Sequence, residues 1–165
     1  IELYRDKPVT VWDIREDGRI IGVTEELSAQ DIYQLGKEIE PFAIASGTRM
    51  GHVHLSVKNS QEASVFYQES LGLEDKFTIP HASWIASGAY HHHLAVNEWG
   101  GKNLVRRKNG MVGLAYYVVE VENKEFLVNL FTQAQDWQEQ LRWISSSEFS
   151  VTDKDGIITR VRVEN

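Results

Sequence analysis

The chain contains six histidines, and three of them are consecutive in AYHHHLAVN, residues 89–97. Two more, His52 and His54, lie in GHVHLSVKN, residues 51–59. A neutral imidazole is a common metal ligand, and its titration near neutral pH also suits it to moving protons. The chain has no cysteine, so disulfides and thiolate ligands are excluded. Any metal must then be held by histidine, carboxylate or water. No serine sits in a nucleophile elbow, and Gly100 and Gly101 lack the flanking pattern of a phosphate cradle. If residues 91–97 form a strand, alternation places His91 and His93 on one surface and His92 on the other.

Composition bounds what such a site could serve. With 165 residues, 42% hydrophobic and 25% charged, the chain has the makings of one globular domain with a sizeable core. Its net charge is −7, and the basic cluster Arg106–Lys108 reads as a solvated loop. Nucleic acid and anionic membrane are therefore not expected partners, since binding phosphate needs a basic face. No apolar run approaches the ~18 residues that span a bilayer. The lack of cysteine fits a reducing compartment, so a cytoplasmic location is expected. IELY at the start is already a strand pattern, and the chain is read as a piece of a longer one.

The elements that must position the histidines come in duplicate. HVHLSVKN (52–59) and YYVVEVEN (116–123) lie 64 residues apart, with Leu55 matching Val119, Val57 matching Val121 and Asn59 matching Asn123. Each strand runs into a helix. Asn59 or Ser60 can cap the first, whose buried stripe is Ala63, Phe66, Tyr67 and Leu71 before Gly72 stops it. Asn123 can cap the second, with Phe126, Leu127, Leu130, Phe131 and Ala134 as its stripe. Strand-like runs follow: EDKFTIP, ASWIAS and HHHLAVN in the first copy, LRWISS, EFSVT and IITRVRV in the second. DKDG at Asp153–Gly156 is a hairpin signal. The expected fold is α+β: two strand–helix–three-strand (βαβββ) units, about 50–110 and 113–164, forming a curled mixed sheet with a barrel-like cavity. Residues 1–46 read as the tail of a preceding domain plus a connector with one helix. That helix is capped by Ser28, faced by Ile32, Leu35 and Ile39, and closed by Pro41 and Gly47.

Alternation also assigns the faces. Val53, Leu55 and Val57 should lie under the first helix, leaving His52, His54 and Ser56 opposite. Leu94 and Val96 do the same for His91, His93 and Asn97, with His92 on the helix side. In the second copy Val119, Val121, Val161 and Val163 point inward, and Tyr116, Val118, Arg160 and Arg162 lie opposite.

Paired units with histidines on the first and fourth strands resemble the vicinal oxygen chelate superfamily, which includes glyoxalase I, bleomycin-resistance proteins and extradiol ring-cleaving dioxygenases. GHVHLSVKNSQEASVFYQESLGL resembles that family's opening strand and helix, and GAYHHHLAVNEW its fourth strand. Together with GLAYYVVEV they are most similar to the C-terminal half of a two-domain catechol 2,3-dioxygenase. IELYRDKP resembles the end of the preceding domain, where a ligand glutamate is carried.

The resemblance implies an oxidoreductase that holds Fe(II) with two histidines and one carboxylate. It leaves open positions for a small catechol-like aromatic and dioxygen. Carried onto this chain, the first-strand ligand falls on His52. The fourth-strand ligand falls on His93, with His92 chosen by a shift of one residue. In the second copy the two positions fall on Tyr116 and Arg160, so the last-strand carboxylate is missing. Glu2 becomes the candidate third ligand; Glu120 shares the Tyr116 face but lies about 13 Å along the strand. His54 and His91 are expected to line the site and handle protons, with Tyr116 and Arg160 contacting substrate oxygens. The absent N-terminal domain is an implied partner, and a homodimer is allowed. The alternative is a non-catalytic half that binds a metal or a small aromatic, the iron site having lain in the preceding domain.

Overall fold

Asn59 and Asn123 each stand between a strand and a helix, and both start the helix through the side chain. Asn59 accepts from the Gln61 and Glu62 backbone N–H groups at the start of α2 (Ser60–Leu71). Asn123 accepts from Phe126 N–H at the start of α3 (Lys124–Gln133). Each bond satisfies donors that have no partner inside the first helical turn. Gly72 ends α2 with φ of 66°, a left-handed conformation that costs glycine little.

The computed structural model describes residues 6–22, 26–36, 43–101, 103–106, 108 and 110–164. Before the first unit come a 3-10 turn (Val9–Val11), a two-stranded hairpin of β1 (Asp13–Ile14) and β2 (Ile20–Ile21), and α1 (Ala29–Leu35). Ser28 caps α1 as expected, but none of the helix's residues is buried. The face of Ile32 and Leu35 is uncovered among the described residues, and Ile39 and Pro41 lie outside them.

The two units have the same topology. The first sheet is ordered β3 (Val53–Ser56), β6 (Leu94–Asn97), β5 (Ala82–Ala86), β4 (Glu74–Ile79). The second is ordered β7 (Tyr117–Val121), β10 (Ile158–Val163), β9 (Glu148–Thr152), β8 (Leu141–Ser145). In each, the first pair is parallel and the others antiparallel. This follows because the helix carries the chain to the opposite edge and the three strands that follow step back until the last lies beside the first. The α+β class and the two βαβββ units stand as expected. Closure into a barrel-like cavity does not: β3 and β7 are both edge strands, and the result is two separate four-stranded sheets.

The core lies on the helix side of both sheets. Leu55, Val57 and Val96 of the first unit join Val121, Phe149, Val151 and Val161 of the second in one buried cluster with Phe66, Tyr67, Leu127 and Leu130. All four residues of the α2 stripe are buried, whereas in α3 Leu127 and Leu130 are covered and Phe126 is largely exposed. The DKDG hairpin is present and also joins the units. Tyr67 of α2 donates to Asp153 Oδ2 at 2.8 Å, and Lys58 N–H donates to Asp155 Oδ2 at 3.0 Å.

Candidate metal centre

The first strand behaves as alternation predicts. Leu55 and Val57 are buried while His54 and Ser56 are exposed, so His52 and His54 share the face away from α2. The fourth strand differs. β6 begins at Leu94, and residues 91–93 form the loop that enters it. The main chain of His93 already joins the sheet: Val53 N–H donates to its carbonyl at 3.0 Å, and its own N–H donates to Ile85 O at 2.9 Å. One residue earlier the backbone has turned, so strand alternation no longer governs His92. The expectation that His92 lies on the helix-covered side is therefore corrected.

His92 instead joins His52 and His54. One nitrogen from each of these three lies within 4.8 Å of the others. Ring centroids stand 4.2 Å apart for His52 and His92 and 4.9 Å for His52 and His54, and His54 Nε2 is 3.1 Å from His92 Nε2. His93 turns elsewhere, its Nδ1 accepting from Ser87 N–H at 3.2 Å. His91 stands behind His92, with Nδ1 to Nδ1 at 2.7 Å. Glu2 lies outside the described residues.

Asp6 completes the surroundings. Asp6 Oδ1 is 3.2 Å from His91 Nε2, and Asp6 Oδ2 accepts from Tyr90 OH at 2.9 Å. Trp12 packs edge-on against both Tyr90 and His91. Asp6 lies in the same stretch, IELYRDKP, that drew attention to Glu2, but a lone aspartate before proline carries no pattern of its own.

Burial, reinforced by the neighbouring imidazoles, pushes the His92 pKa down to about 2, so its ring is neutral and keeps a lone pair. Burial likewise lowers His93. For Asp6, desolvation works upward, but the hydrogen bonds from Tyr90 and His91 outweigh it and hold the carboxyl below its usual range.

The donor set fits a divalent transition ion. Two imidazole nitrogens at ~2.0–2.1 Å from one ion, 90–110° apart, are about 2.8–3.4 Å from each other, which the 3.1 Å between His54 and His92 matches. Among the described residues, His52, His54 and His92 could therefore hold a metal through three nitrogens.

The corresponding face of the second sheet carries different groups. The Arg160 guanidinium carbon lies 3.8 Å above the Tyr116 ring, and Arg160 Nη1 reaches Glu148 at 3.4 Å. Glu120 is paired with Arg162. Register explains why Arg160 is not the counterpart of His93: Arg160 stands opposite Val118 as Ala95 stands opposite His54, two residues further along the strand.

These features, two βαβββ units with imidazoles at the mouth of the first parallel strand pair, can be set beside known proteins. The catechol-2,3-dioxygenase of Bacillus subtilis is 29% identical over 129 residues, covering 77% of this chain and 45% of that protein. In sequence the chain is similar to that dioxygenase. Solved glyoxalase and glyoxalase/dioxygenase structures share the chain's fold. A glyoxalase/dioxygenase from Nostoc punctiforme superposes with a TM-score of 0.57 at 14% identity, over 75% of this chain and 97% of that one. The lactoylglutathione lyase of Agrobacterium tumefaciens gives 0.52 at 15% identity, over 72% and 96%. No family model matches. The chain spans about half the length of the curated relative it matches.

Proposed function

We propose that this chain is the C-terminal, metal-holding half of an extradiol, catechol 2,3-dioxygenase-like enzyme that acts on a small catecholic substrate. The convergence of His52, His54 and His92 on the helix-free face of the first sheet carries this reading. The kinship with a protein named for that activity supports it. Bound there, Fe(II) would supply the redox capacity and open coordination positions that cleaving a catechol ring with dioxygen needs. The protein's own part is to bring three imidazole nitrogens together and to keep His92 unprotonated, which burial does.

A second reading rests on a different observation. Tyr116, Arg160 and Glu148 satisfy one another on the second sheet, so that unit offers a cation and an aromatic ring where the resemblance implied ligands. This favours a half that binds a small aromatic anion without turning it over.

One experiment separates the two. The chain is loaded anaerobically with Fe(II), then exposed to air and catechol, and the yellow ring-cleavage product is followed by absorbance. Stoichiometric metal uptake and product support the dioxygenase, and His52→Ala should abolish both. Absence of uptake and product, with saturable binding of catechol, would establish the binding module instead.

A further inference from the structure

His92 has another imidazole at each of its two nitrogens, and a carboxylate stands at the far end of the row. Asp6 Oδ1 is 3.2 Å from His91 Nε2, His91 Nδ1 is 2.7 Å from His92 Nδ1, and His92 Nε2 is 3.1 Å from His54 Nε2. An ionised carboxylate only accepts hydrogen bonds, and a neutral imidazole has one N–H and one lone pair. With both rings of the row, His91 and His92, neutral, the direction of every bond follows from its end. Asp6 requires the hydrogen of His91 on Nε2, which leaves His91 Nδ1 as an acceptor. That acceptor requires the hydrogen of His92 on Nδ1, which leaves the lone pair of His92 on Nε2, the nitrogen that faces His54.

We infer that Asp6 and His91 are positioning residues that set the tautomer of His92, so that its Nε2 lone pair is presented to an ion shared with His52 and His54. The inference rests on the metal-centre reading above and adds a role for two residues that touch no ion themselves. Outer groups that accept a ligand's second N–H orient the ring and raise its basicity. Here the acceptor is a second imidazole, with the carboxylate one step further back. Two contacts hold the row in line. Tyr90 OH donates to the other Asp6 oxygen at 2.9 Å, and Trp12 packs on His91 with ring centroids 5.1 Å apart. Asp6, Trp12 and the turn at Val9–Val11 belong to the segment that precedes both units, so this control is supplied from outside the duplicated scaffold.

The tautomer can be read without metal. In the metal-free protein, long-range nitrogen–proton correlation spectra should show His92 protonated at Nδ1 and His91 at Nε2. In Asp6→Ala and His91→Phe the His92 proton should redistribute between its nitrogens. Co(II) serves as an optical probe for ion binding. Its affinity should fall roughly 10- to 100-fold in Asp6→Ala, with one ion still bound, and Asp6→Asn, which keeps an acceptor oxygen, should recover part of the loss. His92 protonated at Nε2 in the parent protein would overturn the inference, as would unchanged spectra and Co(II) affinity in Asp6→Ala. Failure of the underlying site is a different result: His52→Ala and His54→Ala would then leave Co(II) binding unaltered.

Discussion

His92 and His93 are neighbours in sequence, yet only one of them faces the other imidazoles. The difference is local geometry. His93 N–H and C=O are both engaged by the flanking strands and its ring is tied to the Ser87 amide, while the chain at His92 is free to turn. His92→Ala should therefore remove at least ten-fold of the Co(II) or Fe(II) affinity. His93→Ala should leave it within about three-fold, as measured by calorimetric titration; the reverse order would return the ligand to the strand face. Because burial holds the His92 pKa near 2, its protonation does not limit ion uptake at any pH above about 4. Any loss of uptake between pH 5 and 7 should persist in size when His92 is replaced by glutamine, since it must come from other groups.

The elements were legible where a residue does one job. Asparagine before a helix, glycine after it and alternating valines in a strand each have a single physical cause, and all appear in place: Asn59, Asn123, Gly72, and Leu55 with Val57. The first strand's histidines were legible for the same reason. The HHH run was not, because strand periodicity was extended over residues whose backbone had already left the sheet, and because Arg160 was aligned by motif rather than by register. The role of Asp6 was out of reach: it depends on a contact across 85 positions, to which no local pattern points. Gly72 offers a test at this scale. A β-carbon there would adopt a left-handed conformation and meet Leu130 Cδ2 at 3.2 Å. Gly72→Ala should lower unfolding stability by about 1–2 kcal/mol, and Asn59→Ala by about 1 kcal/mol, as read from urea denaturation. No loss in either variant would mean that the helix ends are not fastened as described.

Across the whole molecule, the two units are joined by the Asp153 turn. The Asp153 carboxylate is buried, receives Tyr67 OH from the other unit, and accepts from Ile157 N–H at 2.8 Å. Burial outweighs these bonds and raises its pKa above the ordinary 3.8. A carboxyl whose folded pKa is raised contributes stability that is complete below the unfolded value and is lost as pH rises through the folded one. Asp153→Asn, which cannot ionise, should therefore gain on the parent between pH 3.5 and 7, as read from the difference in their denaturation midpoints. A difference that stays flat over that range would show that the carboxyl titrates normally. Tyr67→Phe, which strips a buried acceptor of its donor, should cost about 1–3 kcal/mol.

Asp6 and Trp12 lie ahead of both units, and the histidine that lies against them, His91, belongs to the first unit. Tyr116 and Val118 stand where His52 and His54 stand, on the same strand of the same scaffold. Histidines written there would gain donors, but they would stand beside Arg160 and Glu148 rather than at the head of a row ending in Asp6, so alike backbones do not make the two halves equal places for an ion.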